Sequence, residues 1–271
     1  MPELPEVEVI RQGLRPKLRG KSLQTVDYRC AKLRYPIPTY LEEQLSGLSC
    51  QGIKRRGKYL LFNFENKQLA WHLGMTGQFR LVPPQTPFAK HEHIGLNFSD
   101  NISLRYKDTR RFGYLDIIKE PINTHPWFKK MGVEPLSDDF NTDSFYAQCQ
   151  KRRVAIKTLI MDANTVVGIG NIYAAESLFR AGIHPAAACA SISKQRIGRW
   201  VDISKAVLEE AISVGGSSIS DFIHVDGKQG YFSHQFKVYG RHQQPCYTCQ
   251  QPIQKITQTG RSTFFCASCQ S

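Results

Sequence analysis

The chain has 271 residues, of which 41% are hydrophobic, and its 36 lysines and arginines exceed its 23 acidic residues, giving a formal net charge of +13. This length can form two moderate domains with real cores, and the charge favours a polyanionic partner, nucleic acid first. No apolar run approaches the ~20 residues of a membrane-spanning helix, and no signal peptide is visible. We therefore expect a cytoplasmic protein without membrane contact.

The first half of the chain is predicted to be one helix followed by short strands. Residues 5–18 carry apolar side chains at helical spacing. Residues 22–118 contain short, partly alternating segments separated by turn-forming residues, which predicts a sandwich or a barrel. The clearest strand segments are 58–63, 69–73, 94–98, 102–106 and 114–118.

The second half is predicted to be helical. Prolines and short polar runs interrupt any periodicity between about 119 and 141, which indicates a linker. Helical segments follow at 143–151 and 153–162, another begins near Asn171, and 194–213 carries a long apolar face. No internal repeat is apparent in the sequence.

The first ten residues, MPELPEVEVI, combine a candidate nucleophile with two carboxylates. Removal of Met1 would leave Pro2 as a secondary amine, whose pKa of roughly 8 keeps a usable fraction neutral near pH 7. Such an amine forms an iminium with a sugar carbonyl, and Glu3 and Glu6 supply groups for proton transfer. The alternative is that Pro5 starts a helix and the glutamates favour its positive end.

Four of the eight cysteines form two CxxC pairs near the C-terminus. Their spacing suits tetrahedral Zn²⁺, and four protein ligands make a structural site because no position stays open for water. The segment 253–265 alternates around Thr259–Gly260 and predicts a basic β-hairpin with Arg261 near its tip as a phosphate contact. The four ligands are Cys246, Cys249, Cys266 and Cys269.

A glycine-containing segment, VVGIGNIYAAES at 166–177, precedes a predicted helix. Backbone N–H groups at the start of that helix can hold a phosphate. Asn171 either caps the helix or contacts a phosphate, and Glu176 either orients the loop or is solvated. The segment lacks the third glycine of a dinucleotide fingerprint.

Three basic clusters strengthen the case for nucleic acid. Each cluster alone is more often a solvated face, but three together with a basic tail favour binding. Met75 and Phe112 lie in polar, turn-like settings next to arginines, which suits either a wedge between stacked bases or ordinary core packing. The clusters are Lys54, Arg55, Arg56 and Lys58; Arg105, Lys107, Arg110 and Arg111; and Lys151, Arg152, Arg153 and Lys157.

Together these motifs resemble the bacterial formamidopyrimidine-DNA glycosylases, and the resemblance covers essentially the whole chain. It rests on PELPEVE, GKYL, HLGMTG, DTRRFG, VVGIGNIYAAESLFRAGIHP, DGKQGYF and the four-cysteine finger. It implies an α+β multidomain fold, in which an N-terminal β-sandwich flanked by helices precedes a helix-two-turn-helix domain and a zinc finger, with DNA in the cleft between the halves. The implied divisions are 1–133 catalytic domain, 134–141 linker, 142–236 helical domain and 237–271 zinc finger.

The resemblance also implies an activity and its catalytic residues. The protein would remove oxidised purines from duplex DNA and then cleave the abasic site by β- and δ-elimination. Pro2 would be the nucleophile and Glu3 the proton donor. Lys58 would assist opening of the sugar, and Arg261 would hold a phosphate near the lesion and support δ-elimination.

Further residues are implied as DNA contacts, and a loop at 217–237 would close over the extruded base. Asn171, Lys157 and His91 would contact the phosphate backbone; Met75, Arg110 and Phe112 would fill the gap left by the base; and Glu6 would lie near the damaged base. We expect a monomer with one structural Zn²⁺ and double-stranded DNA containing oxidised bases or abasic sites as partner.

Two alternatives stay open at this point. One is an endonuclease of the same family that acts on oxidised pyrimidines, although Leu4 and the complete RRF motif resemble the purine branch. The other is a non-catalytic zinc-finger protein that binds damaged DNA without cleaving it.

Overall fold

A computed structural model of the chain describes residues 1–119, 121–217 and 235–271. The chain divides into two compact units: one contains 1–129 together with the segment that begins at Val214, and the other contains 130–213 together with 235–271. None of the helices in these described ranges is long and apolar enough to cross a bilayer. The four-part division expected from the sequence stays a prediction.

The described residues of the first unit form two helices and eight strands. Both of its four-stranded sheets have antiparallel pairings, in the orders β1-β6-β7-β5 and β2-β3-β4-β8. The elements are α1 (Leu4–Leu18), β1 (Leu23–Tyr28), α2 (Leu41–Leu45), β2 (Cys50–Arg56), β3 (Tyr59–Phe64), β4 (Lys67–His72), β5 (Gly77–Val82), β6 (Glu92–Phe98), β7 (Ile102–Asp108) and β8 (Tyr114–Ile118).

The two sheets share one apolar core, which confirms the predicted sandwich. Phe62 and Trp71 of one sheet meet Phe79 of the other with ring centroids 6.1 and 5.0 Å from Phe79, respectively. Leu14 and Leu18 of α1 pack into the same core. Pro5 lies in the first turn of α1, where its missing N–H has no helical partner to lose.

The second unit is helical apart from a terminal hairpin. Its helices in the described residues are α3 (Thr142–Gln150), α4 (Ile156–Ile160), α5 (Asn171–Ala181) and α6 (Lys194–Ser213), and a 3-10 turn lies at Cys189–Ser191. Helix α5 ends at Gly182, whose φ of +69° is the left-handed conformation that glycine adopts at low cost. The hairpin consists of β9 (Gln254–Gln258) and β10 (Arg261–Phe265), as the alternating pattern predicted.

Candidate functional site

The start of the chain is fixed by two buried carboxylates. Glu3 is the N-cap residue of α1, and Glu6 lies one turn into the helix. The Glu6 carboxylate accepts the Glu3 N–H at 2.8 Å, and both side chains are buried. Met1 is 42% exposed, so Pro2 joins an exposed residue to a backbone held in place. The helix therefore starts within one residue of the predicted position, and this start also places Glu3 and Glu6 next to residue 2.

Glu6 also holds the chain just after α6. Its Oε1 accepts hydrogen bonds from the Ser217 N–H and hydroxyl, both at 2.8 Å. The preceding Gly216 has φ of +79°, and a Cβ there would lie 3.2 Å from the same Glu6 oxygen. The sequence placed Ser217 at the start of the expected loop but gave its side chain no role. Most of the predicted loop at 217–237 lies outside the described residues.

Lys58 lies in the tight turn between β2 and β3, directly before the apolar strand. Its positive charge acts on His72, whose ring packs against Tyr59 and Tyr114 with centroids 4.8 and 4.9 Å away. Burial, followed by the charges of Lys58 and Arg34, lowers the pKa of His72 to about 3. His72 Nδ1 accepts the Gly74 N–H at 3.0 Å, so a neutral ring shapes the turn that carries Met75.

The structure brings Met75, Arg110 and Phe112 together on two touching turns. A Cβ on Gly74 would lie only 2.4 Å from the carbonyl carbon of Phe112. The Arg110 guanidinium lies 4.7 Å from the centroid of the Phe112 ring, which is 42% exposed. The interpretation of Phe112 as core packing is therefore wrong.

An open pocket of about 540 Å³ adjoins these turns. It is lined by Leu33, Arg34, Arg110, Arg111 and Phe112. Three guanidinium groups beside an exposed aromatic ring give a surface suited to an anionic, planar ligand such as a nucleotide. Arg34 was not singled out in the sequence, because a single arginine in a loop carries no pattern.

In the second unit, Asn171 is the first residue of α5, and Gly170 is its N-cap. Asn171 Oδ1 accepts from Lys157 Nζ at 2.6 Å, and its Nδ2 donates to the Ser262 carbonyl at 2.9 Å. Lys157 also donates to Thr263 Oγ1 at 2.7 Å and is only 2% exposed. The capping interpretation of Asn171 is therefore wrong, and its side chain instead joins α5 to β10.

Arg261 is exposed at the first position of β10, directly after the Thr259–Gly260 turn. Both turn residues have positive φ, 47° and 72°. The predicted position of Arg261 near the hairpin tip is confirmed.

Glu176 is fully buried on α5, so the solvated interpretation is wrong. Its carboxylate accepts the backbone N–H groups of Lys237, Val238 and Tyr239 at 2.8 to 3.0 Å. Burial raises the pKa of this carboxyl group, against the opposing effect of the three N–H donors. Glu176 thus fixes the segment that leads into the cysteine cluster.

The four C-terminal cysteines form a compact ligand set. All four Sγ atoms lie within 4.8 Å of one another, and the Cys246–Cys269 separation is 3.9 Å. A tetrahedral ion with metal–sulfur bonds of about 2.3 Å needs sulfurs roughly 3.8 Å apart. The donors therefore fit a tetrahedral, sulfur-ligated metal ion.

Not every basic residue of the predicted clusters faces outward. Arg105 is 1% exposed and donates to Asp27 at 2.8 Å, and Arg55 donates to Glu8 at 3.1 Å. Arg110 and Arg111 are exposed. His91 is partly exposed with φ of +68°, directly before β6, where its carbonyl accepts the Asp108 N–H.

Family models match most of the chain. The model for the formamidopyrimidine-DNA glycosylase N-terminal domain matches residues 1–115, and that for the formamidopyrimidine-DNA glycosylase H2TH domain matches 131–223. The formamidopyrimidine-DNA glycosylase of Thiobacillus denitrificans is 48% identical over 270 residues, and that of Marinomonas sp. is 46% identical over 272 residues. Each alignment covers 100% of both chains.

Solved structures give the same result. The FPG (MutM) protein of Lactococcus lactis in a complex with Fapy-dG containing DNA has a TM-score of 0.89 at 34% identity over 99% of both chains. The same protein with abasic-site DNA has a TM-score of 0.91 at 34% identity over 99% of both chains. The MutM (FPG) protein of Thermus thermophilus has a TM-score of 0.88 at 35% identity, over 99% of this chain and 98% of that one.

Proposed function

We propose a mechanism from the premise that this chain belongs to the formamidopyrimidine-DNA glycosylase family. It is a base-excision repair DNA glycosylase that also cleaves abasic sites. Its substrates are oxidised purines, 8-oxoguanine and formamidopyrimidines, in duplex DNA. The observation that most supports this chemistry is the buried pair Glu3 and Glu6 beside residue 2.

Pro2 is the proposed nucleophile once Met1 has been removed. The lone pair of its neutral nitrogen attacks C1′ of the damaged nucleotide. The C1′–base bond breaks with its electron pair on the base, and the base takes up the proton that the Pro2 nitrogen loses. Lys58 assists opening of the sugar, and Glu3 provides the proton that the opened sugar oxygen takes up. The product is a positively charged iminium between residue 2 and the sugar.

Strand cleavage follows from that iminium. Its positive charge acidifies the C2′ proton, and loss of this proton to water breaks the C3′–O bond and expels the 3′ phosphate by β-elimination. Loss of the C4′ proton to water then breaks the C5′–O bond and expels the 5′ phosphate by δ-elimination. Arg261, exposed on β10, is proposed to neutralise a phosphate near the lesion. Hydrolysis of the iminium releases the proline.

The remaining residues are proposed to hold and open the duplex. Extrusion of a base costs a few kcal/mol, and Met75, Arg110 and Phe112 offset part of it by filling the gap. Asn171 grips the phosphate backbone, and His91 is a further phosphate contact. The burial of Lys157 favours an effect through Asn171, to which it donates at 2.6 Å.

Zinc is the proposed ion for the four-cysteine set, because four thiolates in tetrahedral array are typical of structural zinc. Cys246, Cys249, Cys266 and Cys269 would hold it and so fix the hairpin that carries Arg261. With four protein ligands the ion has a structural role, and the reaction uses the side chains and the amine alone.

Excision assays on two lesions test the proposed specificity. We expect efficient cleavage of duplex DNA containing 8-oxoguanine opposite cytosine and slower cleavage of the same duplex containing thymine glycol. Faster cleavage of thymine glycol would favour the oxidised-pyrimidine branch. Tight binding of both duplexes without cleavage would instead indicate a damaged-DNA-binding protein.

A further inference from the structure

Asp108 lies at the end of β7, fully buried beneath the turns that carry Met75, Arg110 and Phe112. We infer that Asp108 is a positioning residue that joins these two turns into one rigid wedge, and that base extrusion depends on this link. The inference rests on the proposed function, because it concerns how the wedge enters DNA. Neither the DTRRFG motif nor the family resemblance implies this role for Asp108.

The carboxylate of Asp108 contacts both turns directly. Its Oδ1 accepts the Thr76 hydroxyl at 2.5 Å, and its Oδ2 accepts the Gly113 N–H at 2.7 Å. Thr76 directly follows Met75, and Gly113 directly follows Phe112. One carboxylate therefore bonds to the neighbour of each of these wedge residues.

Thr76 adds a second link between the turns. Its Oγ1 accepts the backbone N–H of Arg110 at 3.0 Å while its hydroxyl proton is donated to Asp108. A hydroxyl can donate one hydrogen bond and accept another, so a valine or an alanine at residue 76 would lose both. The chain from Asp108 through Thr76 to Arg110 thus fixes the third wedge residue.

The backbone around Asp108 is held in an unusual conformation. Its carbonyl accepts the Arg111 N–H at 3.3 Å and lies 2.9 Å from His93 Nε2. Arg111 has φ of +54°, in the left-handed region that a side chain with a Cβ disfavours. These contacts maintain the turn that aims Arg110 and Phe112 outward.

The two turns also pack backbone to backbone. A Cβ on Gly74 would lie 2.4 Å from the Gly113 nitrogen, and a Cβ on Gly113 would lie 1.8 Å from the Tyr106 hydroxyl. Tyr106 itself donates to the Leu73 carbonyl at 3.1 Å. The turns are therefore in close contact, with buried hydrogen bonds on both sides.

Rigidity matters for a wedge because insertion must compete with base stacking. Side chains on mobile turns would lose conformational freedom when they enter the duplex, and this loss would subtract from the free energy of insertion. Prior fixation by Asp108 removes part of that cost. An abasic site has no base to extrude, so its cleavage depends less on the wedge.

The test compares Thr76→Val with Thr76→Ser, which keeps the hydroxyl. We expect Thr76→Val to slow single-turnover excision of paired 8-oxoguanine about tenfold, as for loss of a hydrogen bond to a charged group. The rate at which Thr76→Val cleaves an abasic site that lies opposite a gap in the other strand should change less than about twofold. Thr76→Ser should match the wild type in both reactions. Unchanged excision by Thr76→Val, or an equal loss in both reactions, would overturn the inference.

A second measurement keeps this outcome separate from the proposed function. Hydrogen exchange of the amides at residues 110–113 should be faster in Thr76→Val and in Asp108→Asn than in the wild type, with Thr76→Ser unchanged. Failure of the wild type to excise 8-oxoguanine would contradict the proposed function, and the exchange rates would still decide the inference. Unaltered exchange in both variants would overturn it.

Discussion

Single residues near the N-terminus show how burial and charge are divided between structure and chemistry. Glu6 accepts hydrogen bonds from Glu3 and Ser217, so its carboxylate stabilises both the start of α1 and the chain that follows α6. Lys58, by contrast, lies in a turn and exerts its charge on a neighbouring histidine. We therefore expect different consequences when each is replaced.

Lys58→Ala should weaken base excision more than cleavage of a preformed abasic site. The proposed role of the lysine is in opening the sugar during base loss, whereas an abasic site has already lost its base and its sugar opens spontaneously to the aldehyde. Single-turnover rates on 8-oxoguanine duplex and on abasic duplex measure the difference, with Lys54→Ala as the control at an exposed lysine on the adjacent strand. An equal effect of Lys58→Ala on both substrates would count against the assignment.

His72 should make stability depend on pH. Its folded pKa of about 3 lies below the ordinary value of 6.5, so the unfolded chain binds the proton more readily. Its contribution is therefore fully present above pH 6.5 and is lost as the pH falls from there towards 3. Urea unfolding at pH 7 and pH 5 should show a smaller decrease in the free energy of unfolding for His72→Phe than for the wild type.

The matching spectroscopic measurement is the NMR titration of the His72 ring. Its carbon-bound proton shifts should stay constant between pH 8 and pH 5, because the ring remains neutral. A titration midpoint near 6.5 would show that the ring is solvated and would contradict the claim that a neutral His72 ring shapes the turn at Gly74.

Sequence patterns singled out most residues of the candidate site but could not assign their partners. Asn171 was recognisable beside a glycine loop, yet its bonds to Lys157 and Ser262 span up to 91 positions. Asp108 begins the DTRRFG motif and Ser217 begins the expected loop at 217–237, but nothing in the sequence assigned either residue a role. Their roles arise from contacts that only the folded chain creates.

At the scale of elements, the alternation of short segments predicted β3, β4, β6, β7 and β8, and the helical periodicity predicted α6 with its observed bounds. The sequence did not reveal how these strands divide between two sheets, because the pairing of β1 with β6 and of β4 with β8 joins distant segments. The wedge depends on that arrangement. Its two turns follow β4 and β7, which belong to different sheets.

Two glycines with similar backbone conformation test the close packing of these turns. Gly47 and Gly74 have φ of +79° and +65°, but a Cβ would meet nothing within 4 Å at Gly47 and would collide at Gly74. Gly47→Ala should cost about 1–2 kcal/mol through backbone strain alone. Gly74→Ala should cost at least about 1–3 kcal/mol more through overpacking, as measured by chemical unfolding, and equal costs would contradict the close contact.

The cysteine cluster gives a prediction for the hairpin. Removal of the metal by a chelator should abolish DNA binding while the first unit stays folded, because the hairpin of β9 and β10 would lose the metal ion that holds it in place. Fluorescence anisotropy measures binding, and hydrogen exchange of β3 and β9 distinguishes the two units.

Cysteine substitutions provide the matched control for that experiment. Cys269→Ser removes a ligand and should reproduce the effect of the chelator, whereas Cys30→Ser alters a cysteine outside the cluster and should not. Unchanged DNA affinity after metal removal would contradict the proposed role of the four-cysteine finger.

For the whole molecule, the net charge of +13 predicts a strong salt dependence of DNA binding. Each phosphate contact contributes about 0.9 to the slope of log affinity against log salt concentration. Arg261→Ala should therefore reduce that slope by about one, whereas Arg19→Ala removes the same charge at an exposed arginine outside the proposed site. Equal slopes for wild type and Arg261→Ala would argue against a phosphate contact.

The most direct measurement of the central claim is borohydride trapping on duplex DNA that contains 8-oxoguanine. Reduction of the iminium should give a covalent protein–DNA adduct, and mass analysis of the cross-linked peptide should place it on Pro2 after removal of Met1. Protein that retains Met1 should give no such adduct at Pro2. Absence of any adduct from the processed protein, or attachment at a lysine such as Lys58, would contradict the assignment of the nucleophile.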